Sequence, residues 1–213
     1  MINRIISNKF FEDPQLITDI LNHELDELVT HGESEFSTPE WVAYNKPYLE
    51  AIKIATKYVT QLEEDYGCAG KELDGIWVRR NIDTWELEDH EKHERNNADI
   101  HKDYFNDPYN YSKVINLQVY LSDDVPPEAG TCFWEYTGSN LEEDIMPGED
   151  AIAKWPYNNW SLLEQIPFDQ NVAFTYNAGP DGVWHSAPLT ETLLEHHTPD
   201  HKREVMIFRF RYK

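Results

Sequence analysis

Apolar residues recur at helical spacing over the first third of the chain and at alternate positions over much of the rest. Residues 1–9 mix Ile with polar residues and predict an opening edge strand. Asp13-Pro14 pairs a capping carboxylate with a proline suited to a first helical turn. Leu16, Ile17, Ile20, Leu21, Leu25, Leu28 and Val29 then share one face, predicting a helix that runs to His31-Gly32. Ser37-Thr38-Pro39-Glu40 marks a second, short helix with Trp41 as its core anchor. A third is predicted from Pro47 to Tyr66, with Leu49, Ile52, Ala55, Tyr58, Val59 and Leu62 inward and Gly67 at the C-cap.

After Gly75 the period changes. Ile76–Arg80 predicts a strand and Thr84–Leu87 a weaker one, followed by a charged loop over 88–97. Further strands are expected at Asp99–Phe105, Ser112–Leu121, Gly130–Tyr136, Asn171–Asn177, Val183–Ala187 and Arg203–Tyr212. Residues 138–168 lack clear periodicity and hold Pro147-Gly148 and Trp155-Pro156, so a long insertion with short helical turns is expected there. Helices followed by short strands predict a mostly β fold, a distorted jelly roll backed by two or three helices. One domain over 1–213 follows, with a helical N-terminal part (1–75) packed on a jelly-roll core (76–213).

Composition narrows the function. A length of 213 residues with 40% hydrophobic and 13% aromatic content supports a packed core rather than disorder. A formal charge of −22 opposes nucleic-acid phosphates and anionic membranes; it would draw a basic partner or substrate, and its plainer reading is solubility or adaptation to a salty setting. Neither a membrane span nor a signal peptide is expected, since apolar runs are short and Met1–Ser7 is too brief. Cys68 and Cys132 make neither a disulfide framework nor a zinc motif, and suit a reducing cytosol. No apolar stripe marks an oligomer interface.

The chemistry gathers around His101-Lys102-Asp103. On a strand, His101 and Asp103 share a face, which offers an imidazole and a carboxylate to one metal ion. His185, in the short apolar strand Val183–Ala187, is the candidate for a second imidazole. Arg203, Val205, Ile207, Arg209 and Arg211 share one face of the last strand, and an arginine entering a sandwich there calls for an anion. Taken singly, each has a plainer reading: a solvated His-Asp pair, a half-buried histidine, a charge-guarded edge strand. His90 and His93 lack zinc-helix spacing, and His196, His197 and His201 read as a solvated loop.

As an ordered series, His101-Lys102-Asp103, Tyr120-Leu121-Ser122, Ala129-Gly130-Thr131-Cys132-Phe133, His185 and Arg203 resemble the 2-oxoglutarate- and Fe(II)-dependent dioxygenases. Within these they resemble the prolyl-4-hydroxylase-like branch, over about residues 76–213. The resemblance implies a jelly roll with His101, Asp103 and His185 as iron ligands. It also implies Arg203 and Tyr120 on the distal carboxylate of 2-oxoglutarate, with Cys132 and Ala187 lining the co-substrate pocket. Ala129 stands where the family has a first turn glycine, which requires only a negative φ. Arg203 lies 203 − 185 = 18 residues past His185, farther than the family's spacing, which leaves Arg209 and Arg211 open as the anchor.

The implied reaction hydroxylates an amino-acid side chain, peptidyl or free, or another small substrate. It consumes O2 and converts 2-oxoglutarate to succinate and CO2. Asp103 keeps the carboxylate that a halogenase would replace. A substrate lid is expected within 138–168 or 88–97. Two other readings remain: a jelly roll that only binds a partner, and a cupin-type metal enzyme without a keto acid.

Overall fold

The computed structural model describes residues 3–25, 27–30, 38–83, 100–106, 110–146, 148, 150–154, 156–187 and 203–213. Among the described residues, twelve strands form two six-stranded antiparallel sheets. The major sheet runs, in spatial order, β1 (Asn3–Ser7), β10 (Ala173–Asn177), β5 (Lys113–Tyr120), β12 (Arg203–Tyr212), β3 (Leu73–Asp83) and β2 (Glu27–Thr30). The minor sheet runs β7 (Ile145–Met146), β8 (Ala151–Ala153), β4 (His101–Lys102), β11 (Trp184–Ser186), β6 (Thr131–Tyr136) and β9 (Trp160–Ile166). From β3 to β6 and again from β9 to β12 successive strands alternate between the sheets, while β6 to β9 all stay in the minor sheet, and β10-β5-β12-β3 faces β4-β11-β6-β9. This is a double-stranded β-helix, or jelly roll, as the strand pattern predicts.

Alternation along the central strands divides the core. Ile115, Leu117 and Val119 of β5, with Met206, Phe208 and Phe210 of β12, face outward. There they pack under α1 (Pro14–Leu21), α3 (Lys46–Thr56) and α4 (Val59–Tyr66). The opposite face of the same strands carries Asn116, Gln118, Tyr120, Val205, Ile207 and Arg209, and meets Phe133 and Ile166 of the minor sheet. Two helix starts follow their sequence. Asp13 caps α1 by accepting Gln15 N–H, and Thr38 caps α2 (Pro39–Tyr44) by accepting Trp41 N–H. Gly67 ends α4 at φ 67°, a conformation that favours glycine.

Several expectations need correcting. The first helix ends at Leu21, and Leu28 and Val29 lie on β2 instead. Arg80 of β3 donates to the carbonyls of Ile20 (2.6 Å) and Leu21 (2.9 Å), taking up the helix's last acceptors. The third helix is two, α3 and α4, joined at Lys57-Tyr58. The N-terminal part is therefore not purely helical, since it supplies both outer strands of the major sheet. The strand expected over Asp99–Phe105 is cut to His101–Lys102, because the chain turns at Asp103 and Tyr104 has φ 52°.

Most of 138–168 is not an irregular insertion. It holds a short α5 (Leu141–Asp144) and strands β7, β8 and β9 that complete the minor sheet. Strand β9 is an edge, buried at Trp160 and Ile166 and exposed between, so it shows no burial alternation. The part of 138–168 expected to form a lid is thus largely sheet. Thr84–Leu87, the 88–97 loop with His90 and His93, and His196, His197 and His201 lie outside the described residues. Among the described residues, no helix is long and apolar enough to cross a membrane.

Candidate active site

Strands β4 and β11 are neighbours, with His101 and His185 directly opposite in register. Their ring centroids lie 4.2 Å apart. The turn after β4 swings Asp103 back beneath both rings. Asp103 Oδ1 is 3.8 Å from His101 Nε2, and Oδ2 is 3.8 Å from His185 Nε2. One donor atom from each residue lies within 4.8 Å of the others. Among the described residues no other group of three His, Cys, Asp or Glu could hold a metal ion.

The surroundings prepare these donors. The backbone carbonyl of Val183 lies 3.2 Å from His185 Nδ1 and so receives its proton, leaving the Nε2 lone pair directed at Asp103 and His101. Burial, and then His101, push the His185 pKa down to about 3, so the ring is neutral. Burial alone would raise the Asp103 carboxyl. The Arg209 guanidinium, with the Asn116 amide, outweighs it and holds the group below the ordinary carboxylate range. Asp103 Oδ2 accepts from Arg209 Nη2 at 2.7 Å and from Asn116 Nδ2 at 3.2 Å, which leaves Oδ1 for a metal. Asn116 Oδ1 in turn accepts from Arg209 Nε at 2.9 Å. Two imidazoles and one carboxylate on one side of a point fit a divalent cation of the Fe(II) type.

The same donors line a cavity of about 290 Å³ between the sheets, which also reaches Trp77, Arg79, Gln118, Thr131, Asp150, Tyr176 and Ala187. Arg203 stands at the β12 end of this cavity, 4% exposed. Its Nε donates to Ala129 O at 2.7 Å and its Nη2 to Thr131 Oγ1 at 3.2 Å. Its guanidinium lies 5.6 Å from the ring centre of Phe168 and 5.9 Å from that of Tyr120. Gln118 Nε2 also donates to Thr131 Oγ1, at 2.9 Å. With two donors on its oxygen, the Thr131 hydroxyl has its own proton left to give.

The other two candidate arginines are placed differently. Arg209 is held by Asp103, and Arg211 lies 5.4 Å over the Tyr111 ring, outside the cavity lining. Tyr120 differs from its expected part. Its one O–H goes to Ile166 O (2.9 Å) while its oxygen accepts Thr131 N–H (2.8 Å), so it braces the turn and gives the cavity no proton. Ala187 lines the cavity, whereas buried Cys132 does not, and burial pushes the Cys132 thiol up to about 11.

Sequence reasoning assigned no part to Asn116, Gln118, Thr131 and Tyr176. For the first two the signal was present: two amides at alternate positions in an otherwise apolar strand point inward to a polar site. The close turn before Thr131 has a steric cause. A Cβ on Gly130 would sit 1.8 Å from Ile166 O, so only glycine lets β6 approach there. Ala129 ends a short 3-10 turn over Pro127–Ala129 without a positive φ, so an alanine serves.

No protein-family profile matches the chain, and no curated protein matches it. Several solved structures are similar to it at low identity. A Pseudomonas putida prolyl-4-hydroxylase is 7% identical over 99% of this chain and 91% of its own, with a TM-score of 0.47. A viral collagen prolyl hydroxylase from Paramecium Bursaria Chlorella virus-1, in a 2-oxoglutarate complex, is 10% identical over 99% and 96%, with a TM-score of 0.45. HygX from Streptomyces hygroscopicus, with nickel and 2-oxoglutarate bound, is 11% identical over 98% and 82%, with a TM-score of 0.48. The jelly roll attached to the sequence resemblance is the fold that the strand order of this chain builds.

Proposed function

We propose that this chain is an Fe(II)- and 2-oxoglutarate-dependent oxygenase that hydroxylates an amino-acid side chain or another small substrate. The observation that carries the reading is one cavity holding both the His101/Asp103/His185 cluster and a buried arginine, Arg203. Asp103 keeps Oδ1 free beside two imidazoles while Arg209 holds Oδ2, a set that suits a divalent cation, and a buried guanidinium at the end of the same cavity suits a carboxylate.

His101, Asp103 and His185 would hold Fe(II), leaving the remaining positions for the keto acid and O2. When bound, iron and 2-oxoglutarate supply the oxidant for C–H oxygenation, releasing succinate and CO2. The protein's own part is positional. Arg203 and the Thr131 hydroxyl would donate to the distal carboxylate of 2-oxoglutarate, and Gln118 and Tyr120 hold Thr131 in place. Arg209 and Asn116 fix the rotamer of Asp103, so the carboxylate meets the metal in one orientation. Val205 and Ile207 wall the co-substrate from water.

Anaerobic titration of the metal-free protein with Fe(II) and 2-oxoglutarate tests this. A visible charge-transfer band is expected in the wild type and none in His101→Ala. Arg203→Ala is expected to need at least about tenfold more 2-oxoglutarate for the same band, as loss of a charge-assisted pair implies. Absence of the band in the wild type, with no heat of 2-oxoglutarate binding, would overturn the reading.

A further inference from the structure

Once Arg203 and Arg209 are accounted for, a third arginine remains at the cavity. Arg79 of β3 lies beside Ile207 of β12 in register, on the cavity face, and lines the cavity with Trp77. Its guanidinium lies 6.0 Å from the Trp77 ring centre, and the same ring takes Arg209 at 4.7 Å. Arg79 is exposed, so it sits at the mouth rather than in the floor.

Its electrostatic situation differs from that of three other arginines. Arg4, Arg80 and Arg209 pair with Asp65, Glu204 and Asp103. Arg79 makes no ion pair among the described residues, although the chain carries 40 acidic residues against 18 basic ones. Glu27 is opposite it on β2, yet the two do not close into a pair. The acid at the same mouth, Asp150, has Oδ1 committed to the Tyr104 N–H at 2.8 Å. A guanidinium with no carboxylate partner among the described residues, backed by an indole and lining a cavity, suits an anion from outside.

Resting on the oxygenase reading, we propose that the substrate carries a carboxylate and that Arg79 receives it at the mouth. The register places Arg79 four residues along from Arg203's end of β12 and one strand over, about 13 Å along the strands. The two guanidinium groups therefore serve different carboxylates. The strong negative charge of the chain keeps anions away in general, and Arg79 admits one at this point. Asp150, which lines the same cavity, suits an ammonium on the same molecule, as in a free amino acid. A carboxylate at a peptide terminus or side chain would offer Arg79 the same chemistry.

The test is anaerobic calorimetry on protein loaded with Fe(II) and 2-oxoglutarate. The probes are the standard L-amino acids, their primary amides and their N-acetyl derivatives. At least one acid is expected to bind, with its amide at least about tenfold weaker, since the amide loses a charge-assisted bidentate pair. In Arg79→Gln that acid falls to the affinity of its amide, while the amide changes little. Equal binding of the N-acetyl acid assigns the carboxylate to a peptide, and loss of binding assigns it to a free amino acid.

The proposal is overturned if no acid outbinds its amide, or if Arg79→Gln leaves the preference intact. It is overturned equally if that variant weakens 2-oxoglutarate as much as it weakens the acid. Failure of the oxygenase reading looks different: the wild type would bind no 2-oxoglutarate, while acid-over-amide preference on the metal-loaded protein would still report on Arg79.

Discussion

At the scale of single residues, the site is a set of buried charges that stabilise one another only as a group. Asp103 is 6% exposed and answers to Arg209 on one side and two imidazoles on the other. Arg209→Met removes its permanent cation. The metal-free protein is expected to lose about 3–5 kcal/mol, as when one partner of a buried pair is deleted. A bound divalent ion replaces part of that charge, so the loss should shrink when urea unfolding is repeated with metal present. An equal loss with and without metal would separate Arg209 from the metal site.

His185 adds a pH dependence to the metal-free form. Its folded pKa of about 3 lies below the ordinary 6.5, so the unfolded chain binds its proton first. Stability from this group is complete above 6.5 and is lost as pH falls from there towards 3. His185→Gln should flatten that slope, measured as urea midpoints across the range. The two imidazoles and the carboxylate were legible in the sequence. Arg209's part was not, because a shared strand face does not say which arginine a carboxylate selects.

At the scale of elements, the turn into β6 carries the co-substrate end of the site. Gly130 lets this turn lie against Ile166 of β9, and Tyr120 ties it down through Thr131 N–H and Ile166 O. Gly130→Ala would force its Cβ into the Ile166 carbonyl, at a cost of at least about 1–3 kcal/mol of overpacking. Thermal unfolding and 2-oxoglutarate calorimetry on that variant should show both stability and affinity reduced. Unchanged affinity would mean that the turn does not set the co-substrate site. Periodicity found β5, β6, β10, β11 and β12 because each buries at least one face. It failed at β2 and β9, sheet edges whose burial depends on what lies beside them, and at Asp103, which leaves its strand.

At the scale of the whole molecule, the charge and the site pull in opposite directions. A net −22 is spread over the surface, while three arginines face the cavity. Surface repulsion is screened by salt, so stability at neutral pH should rise from low ionic strength to about 0.5 M, where the Debye length is only a few ångströms. The Asp103–Arg209 pair is buried and should be screened much less, so Arg209→Met should cost nearly the same at both salt concentrations. A wild-type urea midpoint that falls with added salt would contradict this division.

The sequence by itself determined the jelly roll, the helical backing and the identities of the candidate metal ligands. Alternation, capping residues and residue chemistry are local properties written along the chain. Only the tertiary structure decided where the first helix stops, because Arg80 reaches its last carbonyls from another element. It likewise decided that Arg209 belongs to Asp103, that Tyr120 braces a turn, and that Arg79 at the mouth meets no carboxylate among the described residues. Each of these depends on which groups meet across two sheets. Pairing energies between buried charges are set by distances of a few ångströms that no spacing in the sequence encodes.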